Sequence, residues 1–168
     1  MEPITFGEYT IRSLEVSEES LAVLMDLHHQ VLPSRAHSTP DQRAKVLREI
    51  SAGLQGREPL VLAAFTDDGR VVAYKLGYRT GNRRERFYSW LGGVHPAHRR
   101  KGLSLEMTRI QHELAAQTGA RYVETHTWGH NQAMLIVNLR CGMTVIGTIA
   151  GPDRPGVKVI LRKELNKS

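Results

Sequence analysis

The feature that most constrains the fold is a change of period between residues 86 and 117, made through the run Val94-His95-Pro96-Ala97-His98-Arg99-Arg100-Lys101-Gly102-Leu103-Ser104. Before it, Arg86 to Val94 is rich in aromatic residues and reads as a strand. After it, Leu103 to Gln117 sets Leu105, Met107, Ile110, Leu114 and Ala115 on one helical face, with Gly119 placed to cap the end. A further short strand follows at Arg121 to Trp128. A strand, a helix and a second strand in this order form a crossover, so the fold must lay a helix across a sheet.

The turn itself suits an anion. The first turn of a helix carries N–H groups with no partner inside the helix, at the positive end of its dipole. Gly102 has no side chain to obstruct a ligand oxygen, Ser104 is small, and Arg99, Arg100 and Lys101 add positive charge around the same point. A diphosphate fits this arrangement. A plain solvated connection fits it too, since neither the P-loop pattern nor GxGxxG is present.

The remaining elements complete a mixed sheet. Tyr9 to Ser13 reads as a strand, and Leu21, Leu24, Met25, Leu27, His28, Val31 and Leu32 recur at helical spacing behind Glu18-Glu19. Ser38-Thr39-Pro40-Asp41 opens a second helix, with Val46, Leu47, Ile50 and Leu54 inward. Asp67-Asp68-Gly69-Arg70 divides two β-rich runs between Leu60 and Tyr78 into a hairpin. Gly92-Gly93 suggests a bulge or a close approach by another backbone. Asn131 starts a last helix that stops at Gly142, and Thr144 to Ile149 with Val157 to Leu165 read as a closing hairpin around the Gly151 to Gly156 loop. The expected fold is a single domain over residues 1–168 of α/β (α+β) class. It has a mixed, mostly antiparallel central sheet of about seven strands flanked by four helices, in the order β-α-α-β-β-β-α-β-α-β-β.

Composition narrows the setting. No segment approaches the length needed to span a bilayer, and the start MEPITFGEYT has no basic and apolar leader, so neither membrane nor export is expected. The lone Cys141 cannot form an internal disulfide, which agrees with a cytoplasmic location. The net charge of +6 suits nucleic acid, an acidic surface or a phosphorylated small ligand. A nucleic-acid domain would lack a reading helix or aromatic stacking surface here, so no nucleic-acid partner is expected.

Val94-His95-Pro96 followed by Arg99-Arg100-Lys101-Gly102-Leu103-Ser104, in this order of elements, resembles the GNAT family of acetyl-CoA-dependent N-acyltransferases. The family pattern after a strand ending Val-x-Pro is Arg or Gln, two residues, Gly, one residue, then Gly or Ala; only Ser104 departs from it. Asn131-Gln132-Ala133-Met134 with Gly142-Met143 is similar to a second family motif, Met143 standing for the usual phenylalanine. The resemblance spans nearly the whole chain and is densest from Phe87 to Gly147.

This resemblance implies acetyl-CoA as acyl donor, with no metal, and a small-molecule or peptide amine as acceptor. The amides of Arg99, Arg100, Lys101, Gly102, Leu103 and Ser104, led in by Val94, His95 and Pro96, would take the pyrophosphate. The strand edge from Leu91 to Val94 would pair with the pantetheine arm, and the Val94 N–H would polarise the thioester carbonyl. Asn131 would fix the arm, beside its plain reading as a helix N-cap. Asn138 stands where many members carry the tyrosine that protonates the leaving thiolate; it either binds the coenzyme or is an inward, satisfied amide.

An alkyl ammonium must lose a proton before it attacks. In a branch of the family that acetylates protein N-termini, a glutamate five residues before the motif asparagine serves as base, and His126 holds that place here. His126 is also readable as an ordinary strand residue. Glu124 shares its face by alternation, as base or as a group that orients His126. Tyr88, Ser89 and Glu85 are further candidates, Tyr88 also as acid. His28-His29 reads as a surface pair, and Arg79, Arg83, Arg84 and Arg86 as a solvated loop, which if functional would favour an acidic acceptor or the 3′-phosphate of the coenzyme. His95 and His98 have no carboxylate or cysteine set beside them to suggest a metal. A catalytically silent acyl-CoA sensor and a basic nucleic-acid-binding domain are the rival functions, and a homodimer is left open.

Overall fold

The structure, a computed structural model, describes residues 1–31, 39–80, 83–150 and 156–165. Its strands are β1 (Ile4–Phe6), β2 (Tyr9–Leu14), β3 (Arg57–Phe65), β4 (Val71–Thr80), β5 (Arg83–Val94), β6 (Tyr122–Trp128), β7 (Thr144–Ala150) and β8 (Val157–Glu164). The helices are α1 (Glu18–Val31), α2 (Pro40–Leu54), α3 (Leu103–Gln117) and α4 (Gln132–Arg140). All strands join one sheet in the order β1-β2-β3-β4-β5-β6-β8-β7. Every pairing is antiparallel except β5 with β6, the crossover spanned by α3.

The expected mixed sheet with four helices is thus present, with eight strands where the sequence showed about seven. The addition is β1, a partner of β2 across the turn at Gly7, too short at three residues to display a period. Local signals explain the helix ends. Thr39 and Gln42 form a reciprocal capping box on α2, and Gly119 adopts φ 83° beyond α3.

Side-chain alternation divides the sheet into two faces. Tyr74 and Leu76 of β4 join Leu24, Ile50 and Val61 in a core under α1 and α2, whereas Ala73 joins Ile11, Leu62, Met107 and Ile110 under α3. A third cluster, with Phe87, Val123, Met143 and Leu161, continues on the α3 face. Fully buried residues such as Leu24, Leu62 and Ile11 each contribute roughly 2 kcal/mol of transfer free energy.

Three sequence expectations are corrected. The bulge in β5 lies at Trp90, between Ser89 paired with Gly77 and Leu91 paired with Leu76, and not at Gly92-Gly93, which pair regularly with Lys75 and Tyr74. Gly93 is needed instead because a Cβ there would overlap the Val31 side chain at the end of α1. His28 and His29 are buried, with His28 Nδ1 on the Tyr74 hydroxyl. Two of the arginines read as a solvated loop are engaged instead: Arg79 pairs with Glu58 and donates to the Thr118 carbonyl, and Arg86 is drawn into the sheet face, while the side chains of Arg83 and Arg84 lie outside the described residues. The Gly151 to Gly156 loop lies outside the described residues except for Gly156. No described helix is long and apolar enough to cross a membrane.

Candidate active site

The site is made by two strands that begin as partners and then part. β5 and β6 pair in parallel only through Arg86–Tyr122, Phe87–Val123 and Tyr88–Glu124. The Thr125 hydroxyl still reaches the Ser89 carbonyl at 2.8 Å, and beyond it the strands share no ladder. Each wall of the gap is held from behind, β5 by β4 and β6 by β8. The His95 N–H donates to the Val72 carbonyl on β4, so alternation along the strand turns the Val94 and Gly92 amides the other way, toward the gap.

At the head of the gap the chain enters α3 through a backbone concavity. Arg100 has φ 63°, a left-handed conformation that costs a non-glycine residue about 1 kcal/mol, and Gly102 follows with φ 80°. Gly102 is the N-cap of α3 and supplies no side-chain hydrogen bond, so the first-turn amides are open to a ligand. The basic side chains divide their work. Arg99 donates to the carbonyls of Val94 at 3.1 Å and Val31 at 3.4 Å, clasping α1 to β5, and Lys101 pairs with Glu8. Arg100 has no ion pair among the described residues. His95 caps the short turn at Pro96–His98 by accepting from the Ala97 N–H, and His98 Nδ1 meets the Tyr9 hydroxyl at 2.9 Å.

On the α1 and α2 face, β6 presents Glu124 and His126 side by side. His126 Nε2 lies 3.5 Å from Glu124 Oε1, and its ring stands edge-on to Tyr88 at 5.3 Å between centroids. Glu124 is also held by Arg86 Nη1 and by Arg162 Nη2, each at 3.1 Å. Burial raises its carboxyl pKa, but the hydrogen bonds from Arg162 and Arg86 outweigh this and hold it below the usual carboxylate value. Burial, followed by the neighbouring Tyr78, pushes the Tyr88 phenol up to about 12. Arg162 belongs to the last strand, and only the register that sets Glu124 opposite it shows the two to be partners. Sequence spacing carries no such signal.

The α3 face is polar in a different manner. Lys75, Ser89, Gln111, His112, Thr127 and Asn138 are buried there between the sheet, α3 and α4. Asn138 donates to the Thr127 hydroxyl at 3.1 Å, so its amide is satisfied within the fold. Asn131 caps α4, accepting from the Met134 N–H at 3.3 Å, and is exposed. Ser104 contacts Met134 Sδ at 3.8 Å, which ties the head of α3 to α4. Glu85 pairs with Arg121 at 2.9 Å away from the gap, and Ser89 is taken by Gln111 at 2.7 Å. An open groove between the start of α1 and the end of α2, lined by Glu18, Leu21, Arg48 and Gln55, shares no residue with the gap. Among the described residues no group of His, Cys, Asp and Glu is arranged to hold a metal.

Residues 5–132 match the family model described as an acetyltransferase (GNAT) domain. Solved structures share the fold. A protein assigned as a phosphinothricin N-acetyltransferase aligns with TM-score 0.72 at 21% identity, covering 94% of this chain and 99% of its own. The Sinorhizobium meliloti phosphinothricin acetyltransferase, in complex with acetyl-CoA, aligns with TM-score 0.71 at 16% identity over 95% of this chain and 90% of its own. The ribosomal-protein-S18-alanine N-acetyltransferase of Escherichia coli gives 0.70 at 16% identity, with 93% of each chain covered. No curated protein matches the sequence. A family model that covers most of the chain, on a fold whose central strands part beside an open helix start, identifies the chain as a member of the GNAT family and an acetyl-CoA-dependent N-acetyltransferase.

Proposed function

We propose that the 168-residue chain acts as one domain that moves the acetyl group of acetyl-CoA to a primary amine by direct attack in a ternary complex. The observation behind this reading is the gap, with the Gly92 and Val94 amides turned toward it from one wall and His126 on the other. Acetyl-CoA fits these residues: an open strand edge suits an amide-bearing arm, and the uncapped turn from Arg99 to Ser104 suits a pyrophosphate. When bound, the coenzyme supplies a thioester whose carbonyl gains negative charge under attack.

The protein's part is to place donors and move one proton. The Val94 amide serves as an oxyanion donor, with the Gly92 amide as a second. His126 takes the proton of the incoming amine, for which imidazole is the suited side chain near neutral pH. Glu124, already bound by two guanidinium groups, is a positioning residue that orients His126. Nitrogen then bonds to the acyl carbon, the carbon–sulfur bond breaks, and its electron pair leaves on sulfur. A thiolate is a weak enough base to depart without an acid, which matches Asn138 where a proton donor would stand. Tyr88, its phenol pushed up to about 12 and therefore protonated, stands edge-on to His126 and is the hydroxyl that could give a proton to the thiolate.

The acceptor is a small molecule or a peptide end, the protein works alone or as a homodimer, and the cytoplasm, where the buried Cys141 stays reduced, is its compartment. Free-thiol release from acetyl-CoA across a panel of primary amines tests the reading. His126→Ala should lower kcat roughly 100-fold with little change in the KM for acetyl-CoA. Unchanged turnover in that variant would remove His126 from the mechanism.

A further inference from the structure

The paired carboxylate beside His126 leaves positive charge over. Glu124 Oε1 accepts from Arg86 and Oε2 from Arg162, so one negative charge faces two positive ones. Each guanidinium gives a single terminal nitrogen to this contact, although an arginine has five N–H donors in a planar fork. Arg86 Nη2 and Arg162 Nη1 have no protein partner among the described residues, and the two side chains keep 21% and 34% of their exposure. Both Nε groups are buried and unpartnered.

The setting holds these groups in place. Phe87, Val123 and Leu161 point into the core under α3, so alternation puts Arg86, Tyr88, Glu124, His126 and Arg162 together on the other face. The Arg162 guanidinium lies 4.1 Å from the Tyr122 ring centroid and that of Arg86 5.4 Å from Tyr88, so each side chain also rests on an aromatic face. Among the described residues, α1 and α2 pack mainly on β3, β4 and β5. Other charged residues on the face are Arg57 over Tyr78, whose ring lies beside Tyr88, Lys158 over Trp128, and Glu164 opposite Tyr122.

We propose that Arg86 and Arg162 form a subsite for an anionic group on the acceptor, so that the substrate is an amine carrying a carboxylate or a similar oxyanion. This rests on the reading that His126 receives the amine. Glu124 stands 3.5 Å from His126 Nε2 and 3.1 Å from each guanidinium, so the nitrogen left to take the proton is Nδ1, and amine and anion are separated by the imidazole ring as well as the carboxylate. Amino acids of graded chain length sample that spacing, and Arg86 Nη2 and Arg162 Nη1 can each give a charge-assisted hydrogen bond to an oxyanion.

The test compares glycine, β-alanine and 4-aminobutyrate with their carboxamides in the thiol-release assay, and the corresponding N-acetyl acids with N-acetyl amides by calorimetry in the presence of coenzyme A. At least one acid should exceed its amide by about tenfold or more in kcat/KM or affinity. The preference should collapse toward unity in Arg162→Gln and return in part in Arg162→Lys. Carboxylate preference in binding, with no thiol release from any amine, would sink the proposed reaction and keep the subsite. Equal treatment of acids and amides in both assays, or a preference that survives Arg162→Gln, overturns the subsite.

Discussion

The two faces of the sheet beside the gap bury polar groups by opposite means. Toward α1 and α2, Glu124 keeps its charge and spends both oxygens on guanidinium groups. Toward α3, Lys75 and His112 are buried with no ion pair among the described residues, and burial drives both toward their neutral forms: Lys75 down to about 8 and His112 to about 3. One face is held by charge and the other tolerates it poorly. The pairing sits where the chemistry is proposed, and the groups without one sit under α3.

Removing a charge on each face should therefore have opposite signs. Glu124→Leu leaves two half-buried guanidinium groups facing each other and should cost about 3 kcal/mol, read as a drop in the urea midpoint with an unchanged slope. If stability stays level, the ion triad is merely a surface network.

Lys75→Met removes a buried ammonium and should stabilise the protein at pH 7 by about 2 kcal/mol. In the parent protein, the folded lysine releases its proton near pH 8 while the unfolded one holds it to about 10.5, so stability should climb between these values. The variant should show no such climb, and a parallel profile would mean that Lys75 is paired after all.

The smallest effect belongs to His112. Its folded pKa of about 3 lies below its unfolded 6.5, so the unfolded chain binds the extra proton in that window and stability falls as pH drops from 6.5 toward 3. The loss should reach about 1–2 kcal/mol at pH 5, and His112→Gln should flatten that part of a thermal-melt profile.

Much of this contrast was invisible in the sequence, whereas the fold was not. The strand-to-helix turn at Gly102, the Thr39 cap and the Asp68-Gly69 hairpin are local signals, and the elements they bound lie where the sequence places them, while β1 is too short to show a period and β3 and β5 start earlier than expected, at Arg57 and Arg83. His126 and Glu124 were legible as neighbours because alternation is also local. Features that depend on two distant strands were not legible. The bulge at Trp90 is a matter of register between β4 and β5, and Arg162 meets Glu124 only because β8 inserts between β6 and β7. The burial of His28 likewise depends on Tyr74 across the α1 packing, which no helical period reveals.

Gly93 also bears on how the gap is braced. With Val31 resting where a Cβ would be, the end of α1 abuts the β5 backbone itself, and the Arg99 clasp fastens the two from outside. The wall that offers amides is thereby buttressed on the side away from α3, while the wall bearing His126 is a cantilever, rooted in β8 and free of β5 past Thr125. If the gap takes the acyl arm as proposed, a bulkier arm meets a β5 wall backed by α1 and finds room only against the β6 wall that bears His126.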